Sequence, residues 1–223
     1  MRYPSAWLQG ASRGDAIASE LRLQIIRGAI EQGAVISENR VAAEFGASRS
    51  PVRDALKTLS NEGLIRLERM GAVVLGLSMQ DLEELYDVRY LIESFAQQRL
   101  AQGDREPLLA ELRQLIDKMG LAVKHGDRVE FAQLDFRFHE AMIAEAKHAR
   151  IQQLWNSIRH VVLAVMLITT DEVFSEGEAK LQSVIGKHGG LLKAIESRDA
   201  AVIRAEVRAY FADSNRTLHN SLP

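Results

Sequence analysis

Apolar residues recur every three or four positions over most of the chain, a spacing that predicts helices. Between Asp15 and Gln32, the residues Ile17, Leu21, Ile25 and Ala29 fall on one stripe, with Gly33 as the expected stop. A shorter helix is expected in SENRVAAEF, where Ser37 can cap free amides, Val41 and Phe45 are four apart, and Gly46 ends the pattern. Ser48 is then expected to cap SPVRDALKTLSNEG, in which Val52, Leu56 and Leu59 face inward, the proline falls in the first turn and Gly63 terminates. Two short helices joined by a glycine-containing turn make a helix-turn-helix. The β-prone runs LIRLE and AVVLGL flank RMG and predict a two-stranded wing.

From Ser78 onward the pattern is long helical periodicity without strand signals, punctuated by Pro107 and by Gly103, Gly120, Gly126, Gly177, Gly186 and Gly189. About six helices are expected, starting near Ser78, Glu106, Asp127, Arg150, Glu178 and Asp199. The fold class is therefore mostly α: a winged helix-turn-helix of three helices and a two-stranded wing, followed by an all-α antiparallel bundle. The expected division is a flexible tail over 1–13, the winged helix-turn-helix over 14–77 and the helical domain over 78–223.

Composition narrows the function classes. The 223 residues include no cysteine, which excludes disulfides, thiolate metal sites and a cysteine nucleophile. The longest apolar run, Val161–Ile168, falls far short of the roughly 20 residues that span a bilayer. With no signal-peptide core at the start, a cytoplasmic protein without membrane contact is expected. Net charge is −2, yet residues 1–77 carry 10 basic and 8 acidic side chains, so the excess of acid lies in the rest. That asymmetry hints that the first segment meets phosphate.

In a helix-turn-helix, the start of the second helix points at base edges. Arg49 and Arg53 are four apart and project from one side of that start. Their forked donors match guanine O6 and N7, while the hydroxyls of Ser48 and Ser50 suit phosphate. Arg69, at the wing tip, can reach backbone or minor groove; Arg66 can equally decorate the outer face of a strand. The alternative is that Arg49 and Arg53 are solvated charges, with Arg53 paired to Asp54 or Glu38.

The helical domain carries polar groups on apolar faces. In FAQLDFRFHEAM the inward stripe runs Phe131, Leu134, Asp135, Phe138, His139 and Met142, placing a carboxylate and an imidazole one turn apart among aromatic rings. His188 shares a stripe with Val184, Leu191 and Ile195, Tyr210 can point inward with Ile203 and Val207, and Arg89 lies between Tyr86 and Glu93 on the first bundle helix. Asp135, His139 and His188 have the ligand types for Zn²⁺ or a similar divalent ion. An internal Asp135–His139 hydrogen bond, a satisfied His188 and an Arg89–Glu93 helix pair explain the same residues without metal.

SENRVAAEFGASRSPVRDALKTLSNEGLIRLERMGAVV resembles the winged helix-turn-helix of the GntR family of bacterial transcriptional regulators, whose pattern is close to S-E-x-x-L-A-x-x-x-G-V-S-R-T-P-V-R-E-A-L. The resemblance implies DNA contacts at Ser48, Arg49, Ser50, Arg53 and near Arg69. Asn39 stands where some relatives carry a DNA-contacting arginine, and Ala47 where valine is common, so an operator sequence does not carry over. DLEELYDVRYLIESFAQQRLA, LDFRFHEAM and KHGGLLKAIESRDAAVIRAEVRAY are similar to the FCD effector domain of the FadR-like branch. That similarity implies metal ligands at Asp135, His139 and His188, with Tyr210 where a fourth, histidine ligand is expected. It also implies an effector-facing Arg89, and Asn156 and Arg159 are candidates for the pocket rim.

The resulting expectation is a homodimeric regulator, a repressor, that binds a palindromic double-stranded operator and a small organic or sugar acid, and that is not an enzyme. A metal-dependent hydrolase on the bundle and a DNA-binding scaffold without ligand sensing are the alternatives.

Overall fold

The computed structural model describes residues 2–69, 71–103 and 105–221, with side chains up to His219. It divides into two compact units, Met1–Gln80 and Asp81–Pro223.

The first unit holds α1 (Arg13–Ile26), β1 (Val35–Ser37), α2 (Glu38–Glu44), α3 (Arg49–Asn61), β2 (Ile65–Glu68) and β3 (Gly71–Val74). α1 begins at a capping box: the Ser12 hydroxyl accepts from the Asp15 amide, and the Asp15 carboxylate accepts from the Ser12 amide. It ends earlier than the apolar stripe suggests. Gly28, at φ +74°, closes it, so Ala29 lies outside, and the Gly33 amide instead donates to the Val74 carbonyl at 2.9 Å. The segment 1–13, expected as a flexible tail, includes a 3-10 turn over Ser5–Leu8 and a hydrogen bond from the Tyr3 amide to Glu20 at 2.7 Å, and α1 already begins at Arg13.

α1 packs against α3, burying Ile17, Leu21 and Ile25 with Val52, Leu56 and Leu59. Each such aliphatic side chain contributes about 1.5–3 kcal/mol by leaving water. Within this interface Arg22 donates two hydrogen bonds to Glu62, both at 2.7 Å. From the start of α1, the Arg13 guanidinium donates to the Phe45 carbonyl at 3.0 Å and to the Gly46 carbonyl, fixing the turn between α2 and α3.

The wing is three-stranded rather than two-stranded. β1 joins it, giving an antiparallel sheet in the order β1-β3-β2, with Ile36 and Leu67 both opposite Ala72. A strand of three residues is too short for its alternation to register in sequence. Ser37 ends that strand and precedes α2, and neither it nor Ser48 makes the side-chain cap bond the sequence led us to expect. Gly71, at φ +156°, lies so near β1 that a Cβ would stand 2.0 Å from the Ile36 carbonyl oxygen. Gly71→Ala should therefore part β1 from β3 and destabilise the wing by about 1–3 kcal/mol. Thermal unfolding, with hydrogen exchange at Val35–Ser37, checks this; an unchanged melt would contradict it.

Among the described residues the second unit contains six helices: α4 (Met79–Arg99), α5 (Glu106–His125), α6 (Arg128–Glu145), α7 (Ala149–Ser175), α8 (Glu178–Glu196) and α9 (Ala200–Ser221). Their starts lie within a residue of those expected. Asp127 caps α6 by accepting from the Glu130 amide at 2.9 Å, and His148 Nδ1 caps α7 by accepting from Ile151. α6 packs on α5 and α7, and α8 on α5 and α9. Phe136 and Trp155 stack with centroids 5.6 Å apart in a core that includes Ile92, Ala96 and Met166. That core anchors the helices whose other faces carry the polar site.

Candidate DNA-reading face and effector pocket

α3 buries Val52, Ala55, Leu56 and Leu59 and exposes Arg49, Ser50 and Arg53, as the four-residue spacing requires. Both guanidinium groups converge on Glu38, the first residue of α2. Arg49 donates to Glu38 Oε2 through Nη2 at 2.9 Å and Nε at 3.2 Å; Arg53 Nε donates to Oε2 at 3.0 Å and Oε1 at 3.2 Å. Of the two partners considered for Arg53, the structure selects Glu38 over Asp54. The Arg49 hydrogen bond, opposed by burial and reinforced by Arg53, holds the Glu38 carboxyl below its ordinary range. The arginine side chains stay 46% and 54% exposed, so they are gathered without being buried. Ser48 is exposed at the N-cap with no side-chain cap bond, and Arg69 is exposed in the turn between β2 and β3. Arg66 instead pairs with Glu68 at 3.3 Å on the sheet's outer side.

The second unit contains a solvent-connected pocket with a cavity volume of about 50 Å³, lined by Arg89, Asp135, Thr169, Lys187, Tyr210 and Ser214 among others. Asp135 and His139, one turn apart on α6, meet His188 of α8, and their ligand atoms lie within 4.8 Å of one another. His188 Nδ1 donates to the Val184 carbonyl at 2.8 Å, so its Nε2 is the ring atom that faces Asp135 Oδ1 at 2.8 Å. His139 Nδ1 lies 2.6 Å from Glu93, and its Nε2 lies 2.8 Å from the Tyr210 hydroxyl and 3.4 Å from Asp135. Glu93 also accepts from Arg89 Nε at 2.5 Å.

This donor set fits a divalent ion. One nitrogen of each imidazole is engaged by a carbonyl or a second carboxylate, the arrangement that orients metal-binding histidines, and the other points at Asp135. In a neutral His188 the Nε2 lone pair would face a carboxylate oxygen, which calls for a cation or a proton between them. Burial works against the Asp135 carboxylate, but His188 and His139 outweigh it and hold Asp135 well below its usual range. Burial likewise opposes charge on His139, yet neighbouring Glu93 leaves its pKa raised, so a metal there must displace a proton. Burial, aided by Asp135, raises the Tyr210 phenol well above its ordinary value. It stays protonated, unsuited to replace a histidine ligand, and leaves three protein ligands.

Arg89 is buried, with its guanidinium 5.5 Å from the Tyr86 ring centroid and 5.3 Å from that of Phe211. Its Nη2 is buried without a partner. Asn156 and Arg159 are not brought to this pocket. Arg159 is held by Glu140 at 2.6 and 2.8 Å and lies over the Phe136 ring, while Asn156 is exposed and accepts from Gln152. Both lie nearer the start of α7: Arg159 is two turns, about 10 Å, before Met166, which with Thr169 and Val173 lines the pocket. Glu93 is the member that the sequence placed in a helix pair with Arg89, or as a base in the hydrolase alternative, rather than beside His139. Its place on the Tyr86–Arg89–Glu93 stripe was the available signal.

The family model described as "Bacterial regulatory proteins, gntR family" matches residues 13–75, and that described as "FCD domain" matches residues 84–213. The chain is similar to the gluconate operon transcriptional repressor of Bacillus subtilis (strain 168), 41% identical over 211 residues, covering 95% of this chain and 87% of the relative. The protein of the same name from Bacillus licheniformis is 38% identical with the same coverage. Among solved structures, E. coli McbR/YncC aligns with a TM-score of 0.71 at 22% identity, covering 94% of this chain and 98% of that one, which bears on the fold alone.

Proposed function

Since the chain belongs to the GntR family of bacterial regulatory proteins and carries an FCD domain, we propose that it is a homodimeric, sugar-acid-responsive repressor that binds a palindromic operator. It is a DNA-binding transcriptional repressor and not an enzyme, as its similarity to such proteins indicates. The proposed groove contacts are Arg49 and Arg53, with Ser48, Ser50 and Arg69 near phosphates. A two-fold dimer presenting two such helices would read two symmetric half-sites.

The observation that carries the effector reading is Arg89. A pocket-lining guanidinium with a buried, unpartnered Nη2 lacks one acceptor, and a ligand carboxylate would complete its fork. Asp135, His139 and His188 would hold a divalent ion that supplies a second positive anchor for that carboxylate. Gluconate is the first acid to test, because the relatives at 41% and 38% identity are named gluconate operon repressors. Effector must bind two arrangements of the repressor unequally to change operator occupancy.

Calorimetry of the full-length protein with D-gluconate, before and after zinc removal by a chelator, tests this. Binding should be present with zinc and weaker by about tenfold or more without it. Arg89→Lys keeps a cation beside Glu93 but removes the fork, and should weaken gluconate binding by about tenfold. Equal affinity in the native protein and the variant would remove Arg89 from the site, and no response to any sugar acid would remove the class.

A further inference from the structure

The pocket has a second cation, and it is already occupied. Lys187 Nζ lies 5.8 Å from the Tyr210 ring centroid on the pocket wall and is ion-paired with Asp213 Oδ2. The other oxygen of Asp213 accepts from Arg216 at 2.7 Å. The pair is only partly exposed, at 21% for Lys187 and 28% for Asp213. Next to it, α9 contributes hydroxyls whose protons are committed to their own helix. Ser214 donates to the Tyr210 carbonyl at 3.0 Å, and across the pocket Thr169 donates to the Met166 carbonyl at 3.2 Å. Such hydroxyls offer a ligand lone pairs, which suit the O–H donors of a polyol and repel the acceptor-only oxygens of a carboxylate.

We infer that Asp213, behind the pocket lining, determines specificity: by holding Lys187 it restricts the site to sugar acids with one anionic group and an uncharged polyol tail. A second anionic end would have to displace Asp213 from Lys187, and until it did, the two anions would repel each other. Selectivity then comes from a like charge set against the wrong ligand as much as from contacts to the right one. This inference rests on reading the pocket as a sugar-acid site.

The test compares D-gluconate with D-glucarate, the same six-carbon skeleton carrying carboxylates at both ends, by calorimetry on the full-length protein. The native protein should prefer gluconate by about tenfold or more. Asp213→Asn, nearly isosteric, should cut that preference by at least about fivefold through tighter glucarate binding, and Asp213→Ser should act in the same direction. Adding Lys187→Met to Asp213→Asn should abolish the gain. If gluconate binds and neither Asp213 variant, folded by its melt, alters the preference, the assignment of Asp213 is overturned while the sugar-acid reading stands. If the native protein binds neither acid, the sugar-acid reading fails, and the Asp213 assignment fails with it.

Discussion

Replacing Arg49 and Arg53 together by alanine should lower operator affinity by about 30-fold to 20,000-fold, since each bidentate arginine–guanine contact is worth about 1–3 kcal/mol. Fold stability should hardly change. Both side chains are about half exposed, and exposed ion pairs contribute about 0–1 kcal/mol. Fluorescence anisotropy on an operator isolated by genomic selection, alongside a thermal melt, separates the two effects. A folded double variant that binds the operator as the native protein does would end the groove assignment.

Arg22→Ala should destabilise the first unit by about 3–5 kcal/mol, because it strands the Glu62 carboxylate in the α1–α3 interface without its partner. The side chains are 2% and 7% exposed, so water cannot readily take the arginine's place. Urea unfolding of the full chain, followed by hydrogen exchange, should show α1 and α3 opening at lower denaturant while α5, α6 and α8 keep their protection. Glu62→Gln added to Arg22→Ala should recover part of the loss, since a neutral amide is less costly to bury than an unpaired carboxylate. A shift below about 1 kcal/mol would mean the pair relaxes into solvent.

Features set by local spacing were legible in the sequence. α3, the six bundle helices, the inward stripe of α6 and the inward turn of Tyr210 all follow from periods of three to four residues. Contacts that join residues far apart in the chain were not. Arg22 and Glu62 are 40 residues apart, Arg13 and Phe45 are 32 apart, and no local pattern marks either pair. Gly33 looked like the stop of α1 because Ala29 continued the stripe, yet Gly28 ended it first with a left-handed turn. β1 was missed because three residues carry almost no period. In the pocket, stripe position placed Asp135, His139 and His188 inward, and the structure brings the three together. Arg159 and Asn156 were misplaced because periodicity gives the face of a long helix but not the level at which a pocket meets it: Arg159 shares its face with Met166, seven residues further on, where the lining begins. Glu93 was visible as a partner of Arg89, but its reach to His139, 46 residues away, needed coordinates.

The carboxylate shared by Arg49 and Arg53 also bears on how such a repressor would search a chromosome. A phosphate approaching either guanidinium meets Glu38 already in place, and the two anions oppose each other. Attraction to arbitrary duplex is thereby weakened, and fewer condensed counterions are set free, flattening the salt dependence by about 0.9 in log–log slope for each phosphate contact forgone. Guanine's groove edge carries no full negative charge and suffers less from the same carboxylate. Dwell times on random sequence should shorten more than those on the operator, so that the protein samples many sites quickly and stops at few.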